Sequence, residues 1–150
     1  MGTNTCELNT GRLLEIRVGK GYETPDDVKN MIAMIRARVS TLPDDVKHVT
    51  IADWRACRLL TTEAAEHALN MFRGVNPRTE RSLLIHTGQS PTAVMQFLRL
   101  VREADHPNRR LFTDVEQALA WVNEVLTPAE AERARVFLAG QRLPATGEAR

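Results

Sequence analysis

The chain has 150 residues, with 20 Lys and Arg against 19 Asp and Glu, a formal net charge of +1 and 43% apolar residues. That length supports one domain with a substantial core, and the balanced charge gives no global pull toward nucleic acid or an anionic membrane. Cys6 and Cys57 are too few for a disulfide framework and read as reduced thiols of a cytoplasmic protein. There is no apolar run of membrane-spanning length and no leader pattern; Met1-Gly2 opens like a myristoylation signal, but Cys6 stands where that signal needs Ser or Thr.

In chain order, Cys6-Glu7-Leu8-Asn9 reads as a strand and Asn9-Thr10-Gly11-Arg12 as a turn. Leu14, Ile16 and Val18 then alternate onto one face of a second strand, completing a hairpin that Gly19 and Gly21 end. Thr24-Pro25-Asp26-Asp27 starts a helix: a capping hydroxyl, a proline where a missing N–H costs nothing, and two acids that complement the dipole. Val28, Met31, Ile32, Ile35 and Val39 recur on it at helical spacing, and Leu42-Pro43 stops it. Val49 to Ala52 is a buried strand ending at Asp53. A loop through Trp54 and Arg58 leads to a helix from Thr62, with Ala65, Ala68, Leu69 and Phe72 inward. Ser82 to His86 is a strand whose continuous apolar centre suits burial on both faces. Ser90-Pro91 caps a helix carrying Val94, Phe97, Leu98 and Val101, and Arg110-Leu111-Phe112 is a short strand. Thr113 with Glu116, and Thr127 with Glu130, form capping boxes for two closing helices. The order ββαβαβαβαα predicts an α/β fold in a single domain, 1–150. Its sheet is small and mainly parallel, with an antiparallel hairpin edge; its ordered core runs from about residue 5 to 139, and a polar tail from 140 to 150.

The chemistry-bearing residues gather near the carboxyl ends of the predicted parallel strands, where open α/β sheets place their working surface. Thr61 and Thr62 open a helix; both serve as N-cap hydroxyls, and Thr62 is also a candidate phosphoacceptor with Arg55 and Arg58 just upstream. Trp54 beside Arg55 is a candidate binding anchor if it is exposed, or a lid over the helix from Thr62 if it is not. The loop at Gly88, Gln89 and Ser90 offers backbone N–H groups to an anion but lacks the P-loop pattern. From Trp54 to Phe112 every cation is arginine, nine of them against five acids, which reads as a solvated surface or as a patch for an anionic partner. Cys57, His86 and Asp53 could form a thiol–imidazole–carboxylate set. The histidines at 48, 67, 86 and 106 have no metal-ligand spacing with the two cysteines, and no cofactor motif is present. One Tyr and four Phe are too few for a stacking platform for single-stranded nucleic acid.

The hairpin, the capped first helix, the strand ending in Asp53 and a helix beginning nine positions later resemble the STAS domains, the anti-sigma-factor antagonists and their relatives, in particular the SpoIIAA-like group. By that resemblance Asp53 matches the family's strand-end Asp, Thr61 stands at the later Asp, and Thr62 stands at the phosphorylated Ser. It covers the order of elements from Cys6 to Val125, and it implies a non-enzymatic regulatory protein-interaction domain. The expected function is therefore binding of a protein partner, or of a second copy of the chain, through Trp54, Arg55, Arg58, Thr61 and Thr62, with no nucleic acid and no membrane insertion. The alternative is carriage of a lipid or other apolar ligand between the sheet and the last two helices, an architecture shared with the CRAL-TRIO carriers. A Cys57-dependent enzyme is the third.

Overall fold

The computed structural model describes residues 2–140; of the polar tail predicted at 140–150, everything from 141 onward lies outside the described residues. Five strands form one sheet: β1 (Asn4–Thr10), β2 (Leu13–Val18), β3 (His48–Asp53), β4 (Thr79–Ile85) and β5 (Arg109–Phe112). β1 pairs antiparallel with β2, the rest pair parallel, and the spatial order is the chain order. The helices are α1 (Pro25–Val39), α2 (Thr62–Val75), α3 (Pro91–Ala104), α4 (Val115–Val122) and α5 (Pro128–Gly140). The predicted fold class and element order are those observed.

A parallel sheet that grows in one direction, with crossovers of one hand, must lay its crossover helices on one face. Accordingly α1, α2 and α3 cover the face carrying Leu14, Ile16, Ala52 and Leu84, around Met31, Phe72 and Phe97. The opposite face, Leu13, Val49, Ile51, Leu83 and Ile85, is left to α4 and α5, which place Trp121, Val122, Phe137 and Leu138 against it. Both faces of β3 and β4 are thus buried, as their continuous apolar runs require.

Helix starts follow the capping chemistry. Thr24, Thr61 and Ser90 each accept from a backbone N–H three residues on, and Asp27 completes a capping box with Thr24. The fourth start is corrected by one residue: Asp114, not Thr113, caps α4, its carboxylate accepting from the Gln117 N–H. Thr113 instead faces the β4–α3 loop, where its methyl would sit 3.0 Å from a Cβ at Gly88. On α3 the apolar residues are unequally buried. Ala93, Phe97, Leu100 and Ala104 are buried, Val94 and Val101 are half-buried, and Leu98 is 46% exposed.

The start of α5 meets the hairpin turn. Glu130, the capping-box acid of α5, accepts from the Thr127 N–H at 3.0 Å and, with its other oxygen, from the Arg12 N–H at 2.9 Å. Gly11, at φ +55°, is required twice: for the left-handed backbone, and because a Cβ would stand 2.2 Å from the Glu130 carboxylate. A second tie is made by Glu15, buried on the α4–α5 face and held by both Nε and Nη2 of Arg133, at 2.8 and 2.9 Å.

His48 opens β3 fully buried, 2.9 Å from the Thr50 hydroxyl. Burial, and then the charges of Arg78, Arg109 and Arg12, hold its pKa down at about 4. The unfolded chain, with an ordinary histidine, binds the proton between pH 6.5 and 4 while the folded chain does not. Stability from this group is complete above pH 6.5 and falls as the pH drops toward 4, by about 3 kcal/mol in all. Urea denaturation across that range should show the decline, and His48→Gln should flatten it.

Candidate functional site

At the carboxyl end of the parallel strands, three loops lie side by side: β2–α1, β3–α2 and β4–α3. Strand order never reverses, so this edge has no switch-point crevice of the kind doubly wound sheets open. Shallow recesses lie between the loops instead.

The β3–α2 loop is pinned at its start by hydrogen bonds. Asp53 is 1% exposed. Its Oδ1 accepts from the Arg55 backbone N–H and from Arg55 Nε, both at 3.0 Å, and Oδ2 accepts from Arg55 Nη2 at 3.1 Å. The first of these is an Asx turn, which ends the strand. Arg17 Nε approaches Asp53 Oδ2 at 3.4 Å. Both arginines continue to the carboxyl end of α5. Arg55 Nη2 donates to the Leu138 carbonyl at 2.7 Å, and Arg17 donates to the Phe137 carbonyl and stacks 4.1 Å over the Phe137 ring. Cations on the last carbonyls of a helix satisfy orphan acceptors and complement the dipole.

This corrects two of the expected binding residues. Arg55 is a structural clamp between β3 and α5. Trp54 is 1% exposed, with its indole packed on Tyr22, Phe72 and Phe97 at ring separations of 5.4, 5.9 and 5.0 Å. It folds under α2 and α3 and is not an anchor for a partner. Further along, Gln96 on α3 clamps the loop again: its side-chain oxygen accepts from the Leu60 N–H at 2.8 Å and its NH2 donates to the Leu60 carbonyl at 2.9 Å. Between these clamps Arg58 and Leu59 are exposed, Leu59 by 52%. They form a crest between two recesses, one of about 260 Å³ against Lys20 and Glu23, the other of about 340 Å³ against Thr87, Gln89 and Ser90.

Thr61 caps α2 and is exposed, as is Thr62. Thr62 lines a separate groove between α2 and α3, of about 200 Å³, together with Gln96 and Arg99. The Gly88–Ser90 loop is occupied with its own geometry. The Gly88 N–H donates to His86 Nδ1 at 3.1 Å, the Gln89 N–H to Thr87 Oγ1 at 3.3 Å, and Ser90 Oγ caps α3. Its N–H groups at 88 and 89 are therefore not presented to an anion.

The thiol–imidazole set does not assemble. Cys57 is buried; its thiol is pushed up to about 12 by desolvation and lies 3.6 Å from the Arg58 carbonyl. His86 Nδ1 takes the Gly88 N–H, its ring faces the Cys57 backbone, and burial lowers its pKa. Asp53 is committed to arginine. Nor do the nine arginines form one patch: Arg81 pairs with Glu124 just past the end of α4, Arg99 with Glu103 on α3, and Arg78 bonds the Pro43 and Val46 carbonyls. The space expected to hold an apolar ligand, between the sheet and the last two helices, is packed by Leu13, Val49, Ile51, Leu83 and Ile85 against Trp121, Phe137 and Leu138. Among the described residues, no three His, Cys, Asp or Glu gather as a metal site, and no helix is long and apolar enough to cross a membrane. No family model matches the chain, and no curated protein matches it.

Asp53→Asn leaves two guanidinium groups facing a neutral amide in a buried setting, so it should cost about 3–5 kcal/mol in urea denaturation, where Arg58→Ala stays within about 0.5 kcal/mol. Both cysteines should resist alkylation at pH 8 in the native protein and react at once in denaturant, since burial raises each to about 12. Rapid native labelling of Cys57 would restore a thiol-based reading.

Proposed function

We propose that this chain is a non-enzymatic regulatory protein-interaction domain of the STAS or SpoIIAA-like type, binding a protein partner at the strand-end edge through Arg58 and Leu59, with Gln89 and Ser90 across the adjoining recess and Thr61 and Thr62 following at the start of α2. The observation that carries this reading is the exposed Arg58-Leu59 crest on a loop clamped at both ends. A half-exposed leucine beside an arginine, held rigidly between two recesses, loses little conformational entropy on binding. Aromatic residues and arginine dominate binding energy at interfaces, and here the aromatic is spent on the core while Arg58 stays outside. The order of elements, with the strand ending in Asp53 ahead of a hydroxyl-capped helix, supports the family assignment. The two buried thiols accord with a cytoplasmic setting.

Thr62 belongs to the same proposal as its phosphoacceptor. Phosphate there would meet the N-terminal end of α2, whose dipole favours it, with Arg99 across the groove and not Arg55 as its arginine. The experiment is capture by the tagged wild-type chain and by an Arg58→Ala/Leu59→Ala variant from the native cells, with mass spectrometry of the retained proteins and of the Thr61/Thr62 peptide. One partner held near stoichiometrically by the wild type, and at least tenfold less by the variant, is expected. Equal retention by both overturns the proposed surface.

A further inference from the structure

The face under α1 and α2 contains a feature that neither the packing of the core nor the strand-end edge explains. Register places Thr50, Ser82 and Arg109 side by side on β3, β4 and β5, all pointing under the helices and all buried. Apolar residues at these positions would fill the space without needing partners. A hydroxyl, a hydroxyl and a guanidinium instead form the floor of a cavity roofed by Met71, Phe72 and Val75.

Arg109 is 4% exposed. Its Nη1 donates to Asn76 Oδ1 at 2.7 Å, and its guanidinium carbon lies 4.7 Å over the Phe72 ring. Its Nε is buried and has no acceptor among the described residues. None of the ion pairs among those residues includes Arg109, or Arg78, which also acts on His48. Burying a charge without a counter-charge is costly, and Arg78, Arg109 and Arg12 each disfavour a proton on His48, which lines the same cavity; of the three, Arg12 is paired with Glu80. The cavity measures about 20 Å³, room for one particle the size of water. That size excludes phosphate, sulfate and organic acids.

We propose that the Thr50–Ser82–Arg109 row is a buried site for a single monatomic anion, chloride under cellular conditions. Arg109 supplies the charge and Ser82 a hydroxyl donor. Thr50, already bonded to neutral His48, sets the far wall. The anion is the counter-charge that the packed core does not otherwise provide, so binding couples to folding: the halide stabilises the native chain and not the unfolded one.

The test exchanges gluconate for chloride or bromide at constant ionic strength, using the full-length protein. Thermal denaturation should show Tm rising by several degrees with the logarithm of halide concentration once the ion exceeds its Kd, and ³⁵Cl NMR should show a broadened line. Arg109→Met keeps the length of the side chain without its charge and should abolish both. Ser82→Ala, which keeps the strand and the charge, should raise the halide concentration needed by about tenfold or more. If Arg109→Met does not fold, anomalous scattering from bromide in wild-type crystals decides: a peak beside Arg109 and Ser82 supports the site. A halide-independent Tm, a bromide peak elsewhere, or halide dependence unchanged in both variants overturns it and leaves the cavity to water.

Discussion

The arrangement rests on one buried carboxylate. Asp53 sits where β3 must stop, and its two oxygens are shared between the Arg55 N–H, the Arg55 guanidinium and Arg17. A buried carboxylate is tolerable only when it is paired and hydrogen-bonded, and here the partners do more than neutralise it. They turn the chain, send Trp54 inward beneath α2 and α3, and hold the last carbonyls of α5 over the opposite face. Strand end, aromatic core and closing helix thus depend on one group.

The two sides of the sheet are stabilised differently as a result. The α1–α3 side relies on large rings and on hydroxyl caps at helix starts. The α4–α5 side has a flat apolar floor, and its last helix is tied down at both ends by charge: Glu130 to the hairpin turn, Arg17 and Arg55 to the final turn, with Glu15–Arg133 between. The crest of Arg58 and Leu59 lies just beyond the Asp53 clamp, so its rigidity is inherited from the same interactions that close the fold. A binding surface placed there would be sensitive to how firmly α5 is seated.

The elements were legible because their signals are local. Thr24-Pro25, Ser90-Pro91 and Thr127 with Glu130 announce helix starts within four residues, and alternation or continuous apolarity marks the strands. The α4 cap slipped by one because Thr113 and Asp114 are both competent, and only the packing of Thr113 against Gly88 decides between them. The site was less legible. Trp54 reads equally as anchor or core until Tyr22, Phe72 and Phe97 arrive from three other elements. Arg55 was within reach of sequence reasoning, since an Asp followed by its own i+2 N–H is an Asx turn, but its second bond, to the Leu138 carbonyl, spans 83 residues. The Thr50–Ser82–Arg109 row exists only once the register of three strands is known.

The covering of the sheet also orders events during synthesis. Among the described residues every strand is complete by Phe112, yet the face carrying Val49, Ile51, Leu83 and Ile85 is covered only by α4 and α5, which follow it in the chain. A nascent chain at that point presents a paired sheet with one face exposed, the kind of surface that associates with its neighbours. Phe137 and Leu138, on the later of those two helices, are the residues whose carbonyls Arg17 and Arg55 hold. In the folded chain a helix end late in the sequence is thus held by charged groups at a strand edge that comes much earlier.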